Sequence, residues 1–183
     1  MRGRCKAIAV NSSVFSAPWA AVLYAADAEW WRYYARVLTF SGLCVAAEQG
    51  AARYVPAVRT VTVLREQNTC SPRMQFDALG VLGGGSNSGA QAINLAVQFG
   101  ARRVVLLGFD MQRRRDGTLH HHGAHPAPLR NPQARLFEKW IAALDSQAPI
   151  LKARGVDIAN ASPESALKGF CKRSVSEALA LWS

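Results

Sequence analysis

Short apolar runs, each followed by a polar or acidic residue, recur along the first part of the chain. CKAIAV at residues 5–10 leads into Asn11, and AAVLYAAD at 20–27 ends in a carboxylate. GLCVAAE at 42–48 and TVTVLRE at 60–66 follow, the last with alternating β-branched residues. Continuous apolar runs of this length are typical of buried parallel strands, and alternation is typical of a half-exposed strand. The pattern predicts four strands.

Helical periodicity alternates with these runs. EWWRYYARVLTF at 29–40 predicts a helix whose aromatic residues pack in the core, and residues 88–100 repeat apolar side chains at helical spacing before a glycine. RRVVLLGFD at 102–110 predicts an apolar strand that ends in an acidic residue. Residues 133–153 predict a further helix with an irregularity at Pro149.

Two more elements are predicted near the end of the chain. VDIANAS predicts a short last strand, and SPESALKGF predicts a helix with Ser162 as N-cap and Pro163 at its first position. A loop rich in Gly, Asn, Ser and Pro occupies 67–86. Strands that alternate with helices favour an α/β fold with an open, mostly parallel sheet and helices on both faces. We expect one domain over residues 1–183.

Composition supports a globular protein. The chain has 183 residues, half of them apolar, which suffices for one core. No apolar run approaches the ~20 residues of a membrane span, and the first ten residues hold too short an apolar core for a signal peptide. The four cysteines are scattered without a C-x-x-C pair. We expect a cytoplasmic protein with reduced thiols and no membrane partner.

The chain carries a formal net charge of +10. Such an excess suits an acidic partner, such as a nucleotide or a nucleic acid. Arginines are spread along the whole sequence, however, apart from RRR at 113–115. A solvated basic surface without a nucleic-acid site is an equally good interpretation.

Four polar loops follow the predicted strands, at the sheet edge where ligands of such folds bind. They are Asn11-Ser12-Ser13, the glycine loop at 83–89, Asp110, and Asn160-Ala161-Ser162. In the glycine loop, backbone N–H groups and the hydroxyls of Ser86 and Ser88 precede a helix, which favours an anion. The loop matches neither a P-loop nor G-x-G-x-x-G, so a linker with Ser86 or Asn87 as N-cap is the alternative.

Asp110 and a histidine-rich loop are further candidates. Asp110 suits a ribose, a substrate hydroxyl or a divalent cation, or else caps a turn. All four histidines fall within six residues, in HHHGAH at 120–125. A histidine with its pKa near its ordinary value of about 6.5 suits acid–base chemistry, and this or contact with a phosphate is the first interpretation. An exposed polar loop is the second interpretation, and a metal site, whose ligand spacing is not matched, is the third.

Several of these segments carry a family resemblance. CKAIAVN, APWAAVLYAADAEWW, SNSGAQAINLAVQFGARRVVLLGFDMQ, GAHPAPLRNP and GVDIANASPESAL resemble phage and prophage proteins of Rossmann-like fold, over most of the chain. Through short motifs the chain is also similar to bacterial sialyltransferases, and to a superfamily with flagellar motility accessory factors and archaeal pterin diphosphokinases. The resemblance implies a Rossmann-like fold and a nucleotide-sugar site.

The resemblance assigns roles residue by residue. Ser88-Gly89 and Gly108-Phe109-Asp110 match the S-G and G-x-D pairs that build the family's donor site, and Asn11 stands where an asparagine helps to hold the donor. HHHGAH places His122 or His125, with His125 favoured by its order relative to the glycine, as the general base. The last segment brings Ser162 and Ser165 near the nucleotide.

The chain also departs from the family. Relatives begin with a strand and a G-x-G-P-S loop, whereas only RGR precedes CKAIAV here, so the first nucleotide loop either is absent or lies upstream. The tyrosines that hold the donor phosphate have no counterparts, and basic residues substitute for them by charge: Arg113, Arg114, Arg115 and Arg130. A missing strand leaves an open sheet edge, which favours a homodimer.

These features give three functional hypotheses. The first is inverting transfer of a sugar from a nucleotide donor to a hydroxyl, with a histidine base and no obligatory metal. The second is a non-catalytic phage protein that binds a nucleotide, nucleic acid or a host component. The third is a diphosphokinase-like enzyme, which needs Mg²⁺ and more carboxylates than Asp110, Asp116 and Asp27 provide.

Overall fold

The computed structural model describes residues 5–113, 126–129, 131 and 133–181. Helices and mostly parallel strands make up this part of the chain, so the expected α/β class is confirmed. The strands lie in two main parallel sheets and two small pairs, not in the single continuous sheet that we expected.

The first sheet holds four parallel strands in chain order. They are β1 (Ile8–Val10), β2 (Val22–Tyr24), β3 (Leu43–Ala46) and β4 (Arg59–Thr60). A 3-10 turn, Asn11–Phe15, follows β1, helix α1 (Ala28–Tyr34) follows β2, and a second 3-10 turn, Gln49–Arg53, follows β3. The apolar runs before residue 50 therefore form the strands that they predicted.

Both faces of this sheet are covered, which explains why its strands are apolar throughout. On one face Leu23 packs with Trp30 and Trp31 of α1. On the other, Val22 and Tyr24 pack with a later helix. The aromatic residues of α1 thus pack in the core as predicted. The helix is shorter than the predicted 29–40, because the chain turns after Tyr34.

The segment 60–66 is not one strand. It divides among β4, β5 (Thr62–Val63) and β6 (Arg65–Glu66), each with a different partner. β5 pairs in parallel with β8 (Val81–Leu82), and β6 forms an antiparallel hairpin with β7 (Thr69–Cys70). The hairpin turn places two residues, Gln67 and Asn68, at positive φ, as a tight type I′ turn requires.

The second sheet has the order β11-β10-β9, with all strands parallel. Its strands are β9 (Arg103–Leu106), β10 (Asp157–Asn160) and β11 (Cys171–Lys172). Helix α3 (Ala134–Ala153) packs on it through Leu144 and Leu151, and Pro149 lies inside α3 without ending it. Helix α4 (Val175–Leu181), which the pattern did not predict, closes the described chain.

The predicted helix at 162–170 is wrong. Residues 161–170 form turns and irregular backbone between β10 and β11. The physical reason lies in two hydroxyl groups. Ser162 does not cap a helix, because its oxygen accepts the N–H of Phe109, and the hydroxyl of Ser165 donates to the carbonyl of Phe109.

Helix α2 (Ser88–Gln98) packs against both sheets. Ala90, Ile93 and Val97 join the core of the second sheet. Ala92 and Leu95 join that of the first. With two apolar faces, α2 is a buried helix rather than an amphipathic surface helix.

Candidate functional site

The first sheet is joined to α2 at the carboxyl ends of its strands. Tyr24, the last residue of β2, donates a 2.7 Å hydrogen bond from its buried hydroxyl to Oε1 of Gln91, in the first turn of α2. Val10 at the end of β1 pairs directly with Tyr24. Asn11, which follows Val10, therefore lies at the edge of the sheet that faces the beginning of α2.

The second sheet meets the same turn of the helix. A Cβ atom on Gly89 would lie 2.9 Å from the ring of Phe109, so only a glycine allows this close approach. Phe109 lies in the loop that follows β9, three residues after Leu106. The carboxyl ends of both sheets thus converge on the N-terminus of α2, where ligands of α/β folds bind.

The beginning of α2 has the features of an anion site. Asn87 is its N-cap, with Oδ1 accepting the N–H of Ala90 at 2.9 Å. No acceptor among the described residues takes the N–H of Ser88 or of Gly89. The first turn of α2 contains no acidic residue. The helix dipole and the two N–H groups favour negative charge at this point.

The three glycines at 83–85, in contrast, use their N–H groups within the protein. The N–H of Gly83 donates to Oδ1 of Asn94 at 2.8 Å, and those of Gly84 and Gly85 donate to the carbonyl of Ser71 at 3.0 and 2.7 Å. The expectation that they approach a ligand is therefore wrong. The side chain of Asn94 and the backbone carbonyl of Ser71 take these donors, so the candidate anion site is limited to residues 86–89.

Ser162 and Ser165 lie at this edge but bond to the protein. Ser162 Oγ accepts the N–H of Phe109 at 2.8 Å, and Ser165 Oγ donates to its carbonyl at 2.5 Å. The N–H of Ala166 donates to the carbonyl of Asp110 at 2.8 Å. Both serines are buried. They fix Phe109 and the half-buried Asp110 beside α2.

Ser12 is not brought to the site. Its hydroxyl accepts the indole N–H of Trp30 at 3.3 Å and lies 3.5 Å from the hydroxyl of Tyr34. These aromatic residues pack on the face of the first sheet opposite α2. Ser12 thus belongs to the aromatic core, although its neighbour Asn11 lies at the site's edge.

Two asparagine side chains at the strand ends each have a buried polar atom without a partner among the described residues. These atoms are Oδ1 of Asn11 and Nδ2 of Asn160. Asn160 is only 1% exposed, and its Oδ1 accepts the N–H of Ser162 at 3.0 Å, so its amide lies over the end of β10. A buried amide group without a hydrogen bond costs about 1–3 kcal/mol. Asn160 belongs to the predicted polar loop Asn160-Ala161-Ser162, although the family resemblance assigned it no role of its own.

Ser86 has an aromatic neighbour that sequence reasoning missed. The indole N–H of Trp140 in α3 donates to Ser86 Oγ at 3.2 Å. The ring of Phe137 stands edge-on to Trp140, with ring centres 5.6 Å apart. In the sequence these two residues have the spacing of ordinary core positions of a helix, so nothing distinguished them.

Most of the remaining predicted residues belong to segments that the structure does not describe. His122, His125, Arg114, Arg115 and Arg130 lie outside the described residues, whereas Arg113 is described and exposed. Over the described ranges, no group of three or more His, Cys, Asp and Glu side chains comes together.

None of the described helices combines the length and the apolar composition of a membrane span. Comparison of the chain with protein-family models, curated proteins and solved structures gave no match.

Proposed function

We propose that this chain is a nucleotide- or nucleotide-sugar-binding protein with a Rossmann-like arrangement of its parallel strands. The observation that carries the proposal is the convergence of both sheets on the N-terminus of α2. The unpartnered amide atoms of Asn11 and Asn160 support it, because a polar ligand would supply the hydrogen bonds that the described protein does not.

Each group at this edge has a role in the proposal. The N–H groups of Ser88 and Gly89 and the Ser88 hydroxyl bind a phosphate. The carboxylate of Asp110 accepts hydrogen bonds from ribose hydroxyls, and the side-chain amide of Asn11 contacts the donor. Ser162 and Ser165 act through Phe109 and are positioning residues.

The proposed reaction is glycosyl transfer, which rests on the resemblance to sialyltransferases. His125 or His122 takes the proton of an acceptor hydroxyl, whose oxygen attacks the anomeric carbon. The bond from that carbon to the donor phosphate breaks as the new bond forms, with inversion, and the nucleotide leaves with the electron pair. Loss of turnover in His125→Ala or in His122→Ala, with nucleotide binding retained, is the expected result and identifies the base. Binding without turnover in the unaltered chain would favour a non-catalytic binding protein.

Binding is tested by titration calorimetry with CMP, UDP, GDP and their sugar conjugates. Ser88→Glu is the informative variant, because a carboxylate at the first helical position suits the helix dipole but repels a phosphate. We expect it to weaken nucleotide binding at least tenfold without loss of stability.

Ser176→Glu is the matched control, since it places the same charge in the exposed first turn of α4. We expect it to leave affinity unchanged within twofold. Absence of binding to every nucleotide by a folded protein, or equal effects of the two substitutions, would refute the proposal.

A further inference from the structure

Two aromatic side chains flank the first turn of α2. On one side the ring of Phe109 lies against Gly89, in the space that a larger residue would fill. On the other, Trp140 is hydrogen-bonded to Ser86. Ser86 precedes the N-cap, Asn87, and Gly89 follows it, so each ring contacts a residue within two positions of the N-cap.

The surrounding structure fixes both rings. The backbone of Phe109 is held at its N–H and its carbonyl by Ser162 and Ser165. The indole of Trp140 is held by its bond to Ser86 and by the edge-on contact with Phe137, at an interplanar angle of 86°. A ring held in place loses little conformational entropy when a ligand stacks on it.

The two flanking rings differ in what they offer a ligand. The ring of Phe109 packs against the backbone of α2 at Gly89, so part of the ring surface is covered by the helix. Trp140 is half-buried, so part of its indole is accessible to solvent. Its hydrogen-bond partner Ser86 is exposed and precedes the phosphate-binding Ser88 by two residues, a span of at most about 7 Å.

We infer that Trp140 forms the base subsite of the proposed nucleotide site, so that the ligand carries a heteroaromatic base stacked on the indole as well as a phosphate at α2. This inference rests on the proposed function and narrows its ligand class. Simple sugar phosphates and inorganic phosphate would engage only the α2 end of the site. Stacking on an aromatic side chain is tolerant of base identity, so the subsite selects for a base rather than for one particular base.

The test compares CMP and AMP with ribose 5-phosphate by titration calorimetry. Stacking of one base contributes enough to change affinity by about fivefold to a hundredfold. We expect the unaltered protein to prefer both nucleotides over ribose 5-phosphate by such a factor, with quenching of tryptophan fluorescence.

Three variants separate stacking from folding. Trp140→Leu is expected to lower nucleotide affinity to that of ribose 5-phosphate and to leave ribose 5-phosphate binding unchanged. Trp140→Phe, which keeps an aromatic face but loses the bond to Ser86, is expected to retain most of the preference. Trp19→Leu, which alters another half-buried tryptophan just before the amino end of β2, whereas the site lies at the carboxyl ends of the strands, is the control and is expected to change neither affinity.

The outcomes distinguish the two proposals. Equal affinity of the unaltered protein for nucleotides and ribose 5-phosphate, or equal weakening of both by Trp140→Leu, would overturn the base subsite and leave the phosphate site intact. Failure to bind any of these ligands would refute the nucleotide site itself and the subsite with it. If Trp140→Leu does not fold, a loss of preference in the folded Trp140→Phe variant would still contradict the inference.

Discussion

The hydroxyl of Tyr24 donates a 2.7 Å hydrogen bond to Oε1 of Gln91, and this bond joins the first sheet to α2. Gln91 in turn donates from Nε2 to the carbonyl of Gly85 at 2.8 Å, so one amide links a strand end, a helix and the glycine loop. Burial, together with the nearby charge of Asp27, raises the pKa of Tyr24 well above its ordinary range. The hydroxyl therefore stays protonated and remains a donor.

Removing this hydroxyl is expected to destabilise the protein. Tyr24→Phe leaves Oε1 of Gln91 buried without its donor, a loss of about 1–3 kcal/mol in the free energy of unfolding. Tyr33→Phe, at an exposed position on α1, is the control and is expected to stay within about 0.5 kcal/mol. Urea unfolding followed by circular dichroism measures both. Equal stability of the two variants would show that the buried bond contributes little.

The glycine loop is expected to be intolerant of a single methyl group. A Cβ on Gly83 would lie 1.6 Å from the carbonyl oxygen of Arg73, so backbone must move. We expect Gly83→Ala to cost at least about 3 kcal/mol of stability, the upper end of overpacking effects.

Gly50→Ala is its matched control. There the nearest atom, Cβ of Ala28, is 3.4 Å away, an ordinary contact. We expect a change within about 1 kcal/mol, and a stabilising one is compatible with the smaller entropy of the unfolded chain. Thermal unfolding compares the pair, and a Gly83→Ala protein as stable as Gly50→Ala would show that the loop can rearrange.

Ser162 and Ser165 are expected to act as one unit through Phe109. Ser162→Ala leaves a backbone N–H without its acceptor and should cost about 1–3 kcal/mol. Because both hydroxyls bond to one residue, the double variant Ser162→Ala/Ser165→Ala should lose less than the sum of the single effects, with a coupling of at least about 0.5 kcal/mol.

A double-mutant cycle from urea unfolding measures this coupling. Ser16→Ala, at the exposed end of the 3-10 turn that follows β1, serves as control. Strict additivity of Ser162→Ala and Ser165→Ala would indicate that each hydroxyl acts alone.

Helix α4 is expected to fray in acid. The carboxylate of Glu177 accepts the N–H of Ser174, and the N–H of Glu177 donates to Ser174 Oγ, which forms a capping box. These hydrogen bonds with Ser174 lower the pKa of Glu177 below its ordinary value. A lowered folded-state pKa stabilises the helix above the unfolded-state pKa, and this contribution is lost as the pH falls through the folded-state pKa.

Glu177→Gln tests this expectation. The variant should remove the pH dependence of the Ala178 protection factor (the intrinsic amide exchange rate divided by the observed one) below about pH 4, whereas in the unaltered chain this protection factor should decrease as the pH falls. Glu138→Gln, at an exposed position of α3, should preserve the unaltered behaviour. An identical acid profile in both variants would exclude Glu177 as the group responsible.

The elements that the sequence pattern predicted best are those buried on both faces. β1, β2 and β3 lie in continuous apolar runs because successive side chains, which point to opposite faces of the sheet, both pack against neighbours. The segment 60–66 was predicted poorly because it changes its neighbouring strand about every two residues. A local sequence pattern does not indicate which strand a residue pairs with.

Side-chain hydrogen bonds to distant backbone explain the other differences. Asn94 binds the N–H of Gly83, and Ser162 that of Phe109, so a loop expected to bind a ligand and a segment expected to be helical are both held by residues elsewhere in the chain. Gly89 contacts Phe109, so the start of the predicted helix lies beside the end of the predicted strand 102–110. Trp140 and Ser86 are 54 residues apart in the sequence, so no local sequence pattern indicates their contact.

The burial of α2 also has a consequence for how the protein unfolds. Helix α2 has no charged residue from Ser88 to Gln98, and it supplies side chains to the cores of both sheets. Detachment of this helix would expose apolar surface on each side at once, and either sheet alone would lack one of its layers. The two sheets are therefore expected to melt in one cooperative transition, with neither half able to persist as an autonomous folding unit.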